Sequence, residues 1–460
     1  MRRHSRVTPI RNGLALLVVL VSLLTLPGCR EAEPPAPPQP SKPRLFFLGV
    51  DGVSWTVLGP MLERGELPAF QRLIEEGTSL PRFDTLQITH SPVIWTTVAT
   101  GRRPAVHGIR DFTAELPNGR KIPVTSNMRK ARAIWEVASR RGVSAGVIGW
   151  WATWPAEEIL GYVVSDHANP AFGDVMTAEG RFWTADRERL AQLRRQVYPE
   201  EIAPVLARYW ITGETFPWDD LQRRGRFTDE QMRLARAAAW AEPDLYSWLK
   251  TFYRVDYPLF RAALDLMKER PTDLQMLYLR GPDPVQHYGW DLVEPERYAR
   301  KPPHLERDRT VVEGVYRYVD SFLGEILDAL PPDAWLIVAS DHGAEPSDDA
   351  ADPARTSRPG EHSVEAKGVL FLRGPGVRRG ANLEKATPFD LMPTMAWLLE
   401  LPLSSTLPGR ILTEAFEEDF ARSLPVHKVA RYGPRPTGPL LPSPEDEEML
   451  RSLKNLGYIQ

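Results

Sequence analysis

Five apolar runs of strand length, spaced by helical patterns, constrain this chain more than any other feature. They fall at Leu45–Val50, 143–149, Leu274–Leu279, Trp335–Ala339 and 369–372. A strand with no alternation of apolar and polar residues is covered on both faces, as in a parallel sheet between helical layers. Helical periodicity falls between the runs, at 68–76, 92–99, 131–140, 310–330 and 390–399. In 310–330, Val312, Val315, Val319, Phe322, Ile326 and Leu330 share one face. Strands alternating with helices predict an α/β fold with a doubly wound, mostly parallel sheet. The 460 residues are 42% hydrophobic, enough to fill such a core. A net charge of -3 lacks the basic footprint of a nucleic-acid binder, so no nucleic-acid polymer is expected as partner.

Residues 166–270 break the strand–helix rhythm. They are rich in Arg, Glu, Ala and Trp, with helical segments near 185–197 and 228–248, the second opening with the capping-box spacing Thr228/Gln231. The expectation is a mostly helical insertion capping the active-site edge of a core formed by 44–165 and 271–420; the alternative is a solvated appendage. The Trp-rich segment 149–157 is either plain core or pocket wall. Residues 421–460 form a C-terminal extension ending in a helix, with Ser443 as N-cap, Pro444 at the first position and Gly457 as the stop.

The N-terminus reads as an export signal. Arg2, Arg3, Arg6 and Arg11 precede the apolar run LALLVVLVSLLTL. That run is about 13 residues long, short of the roughly 20 that span a bilayer as a helix. It ends at Leu26-Pro27-Gly28-Cys29, which resembles a bacterial lipobox, and Cys29 is the sole cysteine. The resemblance implies removal of 1–28 and lipidation of the Cys29 thiol. Each buried methylene of such an anchor contributes about 0.8 kcal/mol. The absence of Asp after Cys29 points to the outer membrane, facing the periplasm. The Pro-rich stretch 29–43 is an extended tether.

Chemistry-bearing residues cluster after the apolar runs. Asp51 follows the first, Asp283 and His287 follow LQMLYL in GPDPVQHYG, Asp341 and His342 follow LIVAS, and His362 stands in RPGEHS, a loop leading into the last run. In open parallel sheets, ligands gather outside the carboxyl ends of strands. The spacing of Asp283 and His287 lets both reach one metal from a turn. Ser91 precedes Pro92 at a helix start, so it reads as an N-cap; that helix end also offers free N–H groups to a phosphate. Thr89, two residues earlier, is the fallback nucleophile. Three carboxylates, three imidazoles and one hydroxyl suffice for two divalent metals and a nucleophile.

In this order, LGVDG, SPVIWTTVATGRRPAVHG, PDPVQH, SDHG, GEHS and FDLMPTMAWLLELPL resemble the alkaline phosphatase superfamily, most closely its type I phosphodiesterase/nucleotide pyrophosphatase branch, over about residues 44–415. The resemblance implies a two-metal site, with zinc as the metal and manganese as the alternative. Asp51, Ser91, Asp341 and His342 would surround one ion, and Asp283, His287 and His362 the other. Ser91 would attack phosphorus and form a phosphoseryl intermediate. His107 matches a family position and is expected to be structural. The compared pyrophosphatases carry Thr and, three residues on, a phosphate-contacting Asn; here those positions are Ser91 and Ile94. The C/S-x-P-x-R pattern of sulfatases is absent.

The expected function is therefore metal-dependent hydrolysis of phosphate esters by an exported lipoprotein. The alternatives are a phosphotransferase of the same superfamily that moves a phospho-alcohol headgroup, and a silent binding lipoprotein.

Overall fold

The computed structural model describes residues 43–168, 186–209, 211, 215–352, 358–443 and 446–459. The signal segment and Cys29 lie outside them, as does the tether up to residue 42.

The apolar runs assemble into a nine-stranded sheet. In chain order its strands are β1 (Leu45–Val50), β2 (Thr78–Phe83), β3 (Ala145–Ile148), β4 (Gly161–Val164), β5 (Val197–Tyr198), β6 (Leu274–Leu279), β7 (Trp335–Ala339), β8 (Gly368–Arg373) and β9 (Ala381–Asn382). Their spatial order is β9-β2-β8-β7-β1-β6-β3-β4-β5. The middle block, β7-β1-β6-β3-β4, is parallel throughout. The run at 369–372 becomes β8, antiparallel to both β7 and β2. Next to Pro81 of β2 the β8 pairing slips between Gly368 and Leu370, in keeping with a residue that has no N–H to give the ladder. Leu45 pairs with both Leu274 and Trp335, so β1, β6 and β7 end level with one another.

One face of β1 buries Phe46, Leu48 and Val50 with the helices Pro68–Glu76, Leu245–Glu269 and Val311–Ala329; the other buries Leu45 and Phe47 with Ser91–Thr100 and Pro388–Leu398. The described residues form one compact unit.

The 228–248 segment is two helices rather than one. Thr228 and Gln231 do form a reciprocal cap on Asp229–Ala237. The chain then breaks before Asp244, whose carboxylate accepts from the N–H groups of Tyr246 and Ser247 and starts Leu245–Glu269. That helix is buried along most of its length, and Asp256 within it accepts from the N–H groups of Arg280 and Gly281, directly after β6. The last part of the expected cap is thus core.

The C-terminal extension is tied to the sheet by a buried ion network. Arg129 and Arg435 both reach Glu157 at 2.6 Å, and both also contact Glu136. Burial alone would raise the Glu157 carboxyl, but Arg129 and Arg435 hold it below its ordinary value. Its contribution is therefore complete above the unfolded carboxylate pKa, about 4.3, and fades as pH falls through the lower folded value. Removing one member of such a network strands the remaining charges, at a cost of about 3–5 kcal/mol. Glu157→Gln is expected to lower the unfolding free energy by about that amount at pH 7, with the deficit shrinking in acid. Denaturant titrations at several pH values measure both effects.

Candidate active site

The level ends of β7, β1 and β6 bring the candidate residues to one edge. Asp51 continues β1, and its N–H still donates to Leu279 O at 3.0 Å. Gly52 then turns with φ +74; a Cβ there would sit 2.6 Å from Cβ of Asp283, so only glycine admits this approach of the two loops. Asp341 and His342 follow β7, where the Ser340 hydroxyl donates to His342 O at 2.8 Å and accepts from Val53 N–H at 2.7 Å.

Asp283 and His287 lie in the first turns of the helix Asp283–Val293, not in a turn. Spacing i,i+4 puts them on one helical face, and both are buried. Gln286 pins this helix to the β1 loop, donating to Gly52 O at 2.6 Å and accepting from Tyr316 at 2.8 Å. His362 follows the two-residue strand Gly360–Glu361.

The ring nitrogens are oriented from behind. His287 Nδ1 lies 2.7 Å from Gly360 O and His342 Nδ1 lies 2.9 Å from Gly343 O, so each Nε2 is turned inward. His342 Nε2 stands 3.2 Å from Asp51 Oδ1 and 3.5 Å from Asp341 Oδ2. Asp283 Oδ1 stands 3.4 Å from His287 Nε2 and 3.9 Å from His362 Nε2. Among the described residues, two groups can each offer three ligand atoms within 4.8 Å: Asp51, Asp341 and His342, and Asp283, His342 and His362. His342 belongs to both. His287 stands at the edge of the second group, with the Arg358 guanidinium 3.2 Å from its Nε2.

The outer oxygens of two carboxylates are held by tyrosines. Tyr278 donates to Asp51 Oδ2 and Tyr458 donates to Asp283 Oδ2. Neither tyrosine carries a chemical signature in the sequence. Tyr278 is one more aromatic in an apolar strand, and Tyr458 lies far along the chain, in the C-terminal extension.

This crowd of carboxylates is electrostatically costly. Burial and the neighbouring Asp51 charge push Asp283 up to about 7 and Asp341 well above the ordinary range. Burial also opposes the charged forms of Asp51 and His342, but their contact overrides it: Asp51 is lowered, and His342, facing Asp341 and Asp51, is raised to about 10. Burial drives His287 and His362 well below theirs, helped by Arg358 and by His342 respectively. Asp51 Oδ1, both oxygens of Asp341, His342 Nε2 and His362 Nδ1 are buried without a hydrogen bond among the described residues. Buried polar atoms left so, on hard oxygen and imidazole donors around one point, fit divalent cations.

Ser91 opens the helix Ser91–Thr100 as its first residue, with His90 in the N-cap position and Pro92 next. The expected N-cap role is thus not taken; His90 holds that position, and its side chain makes no capping hydrogen bond. Ser91 is buried and shares a helical face with Trp95, whose ring packs on Gly49 and, at 5.2 Å, on Tyr278. Thr89 is half-buried in the preceding loop. Ile94 is buried in a small apolar cluster with Leu86 and Val93 and has no group to offer a phosphate. His107 is buried 3.1 Å from Thr97 Oγ1, with its ring accepting from Ile109 N–H, and burial lowers it to about 3, as suits a structural histidine.

Solved structures align with this chain at low identity. Murine ectonucleotide pyrophosphatase / phosphodiesterase 5, solved in complex with AMP, aligns with 15% identity over 81% of this chain and 98% of its own, at a TM-score of 0.44. Phosphonoacetate hydrolase from Sinorhizobium meliloti aligns with 19% identity over 68% of this chain and 60% of its own, at a TM-score of 0.37. No curated protein matches. The family model described as type I phosphodiesterase / nucleotide pyrophosphatase matches residues 45–382. Because that match runs from the first residue of β1 to the last of β9 and takes in all seven candidate residues, the chain belongs to this family of the alkaline phosphatase superfamily.

Proposed function

We propose that the protein is an exported phosphodiesterase, lipid-anchored through Cys29 to the outer membrane and facing the periplasm, that uses Ser91 as nucleophile at a two-metal site. Family membership supports phosphoric-ester hydrolysis as the reaction class. The observation that carries the finer reading is the ring of buried, hydrogen-bond-deficient donors on Asp51, Asp341, His342 and His362, closed by Asp283 and His287. Two divalent ions, zinc or else manganese, held there would lower the pKa of a hydroxyl or water and balance charge on the phosphoryl oxygens.

The chain's own residues do the rest. Ser91 Oγ forms a bond to phosphorus as the bond to the leaving alcohol oxygen breaks, and the alcohol departs with a proton. Water then attacks the phosphoseryl ester, releasing the phosphoester product and restoring the hydroxyl. At the start of the Ser91 helix Pro92 has no N–H and those of Val93 and Ile94 donate to His90 O, which leaves the Ser91 N–H to face a phosphoryl oxygen. The Ile94 side chain has no polar group for a phosphate, which counts against nucleotide specificity.

The test is to purify the chain from Ser41 onward, strip it with chelator, and titrate zinc by calorimetry while following hydrolysis of bis(p-nitrophenyl) phosphate. Two zinc ions per chain and turnover that rises with the second are expected. Two ions bound without turnover in water, but with transfer to an added alcohol, would move the assignment to a phosphotransferase. No bound metal and no turnover would leave a binding protein.

A further inference from the structure

Tyr458 enters the site from a segment outside the family match, which stops at residue 382. The helix Asp446–Asn455 is seated by buried Met449 and Leu453, and Leu456 just past its end is buried as well. Tyr288 donates to Asn455 O at 2.6 Å, and Asn455 donates to Ala241 O at 2.8 Å, which ties the helix end to both walls of the site. Gly457 then turns the chain with φ +74, at a point where a Cβ would strike the Arg358 guanidinium. That turn delivers the Tyr458 ring flat against Phe112, at 4.8 Å and 4°, and edge-on to His287 at 5.4 Å. Its hydroxyl donates to Asp283 Oδ2, leaving Oδ1 toward the histidines. Beside it opens a cavity of about 290 Å³, bounded by Asp51 and Asp283 at one end, by Trp248 and Phe252 from the long helix, and by Leu456 and Tyr458.

We propose that the C-terminal segment 446–459 is a working part of the active site, with Tyr458 as the positioning residue that fixes which oxygen of Asp283 faces the second metal position. The proposal rests on the two-metal reading above. Tyr278 does the same for Asp51 from within the sheet, so the two carboxylates are oriented by one device delivered from two parts of the chain. The ring of Tyr458 closes the cavity that takes the organic group of the ester, and its hydroxyl serves the metal. The two roles separate by substitution.

Zinc affinity of the chelator-stripped chain is the direct readout. Tyr458→Phe keeps the ring and loses the hydrogen bond; weakening of one of two zinc sites by about 10–100-fold is expected, as for other groups that orient a ligand from behind. With saturating zinc, its KM for bis(p-nitrophenyl) phosphate should rise less than that of Tyr458→Ala. Tyr458→Ala should add a rise in KM. A wild type that binds two zinc ions beside a Tyr458→Phe chain of equal affinity at both sites overturns this inference alone. A wild type that binds no zinc overturns the metal reading and this inference with it. Loss of affinity at both sites together with a lowered unfolding temperature of the metal-free chain would mark Tyr458 as merely structural and also overturn it.

Discussion

Ser91→Ala is expected to abolish hydrolysis of bis(p-nitrophenyl) phosphate while leaving two zinc ions bound. The rate should fall by a factor on the order of 10³ or more, since no covalent ester can form and residual rate comes only from positioned water. Ser91 is not the N-cap and sits at a helix start that Pro92 shapes without it, so the substitution leaves the backbone unstrained. Stability should change by less than about 1 kcal/mol. Trapping with radiolabelled or fluorescent diester, followed by acid quench, should label wild type at Ser91 and leave the variant unlabelled. Turnover that persists in Ser91→Ala and vanishes in Thr89→Ala would move the nucleophile to Thr89.

His342→Ala should have the second-largest effect, for a different reason. His342 is the one imidazole shared by both three-ligand groups, and it faces Asp51 at 3.2 Å and Asp341 at 3.5 Å. Its loss removes a donor from each metal position and leaves the Asp51 and Asp341 carboxylates without their nearest cation partner. Zinc stoichiometry should drop below two, and kcat/KM should fall on the order of 10³-fold, the scale of several kcal/mol of lost charge stabilisation. Elemental analysis after gel filtration, run beside the kinetics, separates the two losses. Full metal content with full activity would remove His342 from the site.

The strands that carry this site were legible in the residues themselves. The bounds of β1, β6 and β7 coincide with the apolar runs, because a strand buried on both faces is apolar nearly throughout, the buried Gln275 of β6 being satisfied by Tyr162 and Ala263 O. Strand direction was not legible, since β8 has the same composition yet runs antiparallel. Nor were β2, β4, β5 and β9 anticipated, being short, peripheral or interrupted by Pro81. Six of the seven candidate residues were chosen by their place after or before an apolar run, Ser91 by its place before Pro92 at a helix start, and all seven by motif order along the chain. What periodicity misjudged was local geometry: Asp283 and His287 lie on a helix, and Ser91 stands one position inside its helix instead of capping it. Tyr278 and Tyr458 show the limit of such reading. Their role lies in a hydrogen bond between residues more than 170 positions apart, and no local pattern encodes it.

The sheet order has a consequence for how the site comes into being. β1 is nearly the first element of the folded unit, yet its two neighbours, β6 and β7, are its partners from more than 200 residues later in the chain. Closing loops of that length is slow, and until both are closed Asp51 has no ligand companions at all. A partly made or partly folded chain therefore presents isolated carboxylates and imidazoles with little hold on a metal. On the proposed two-metal reading, metal capture would be a late and cooperative event, and the rate of zinc uptake during refolding would read out completion of the central strand pairing.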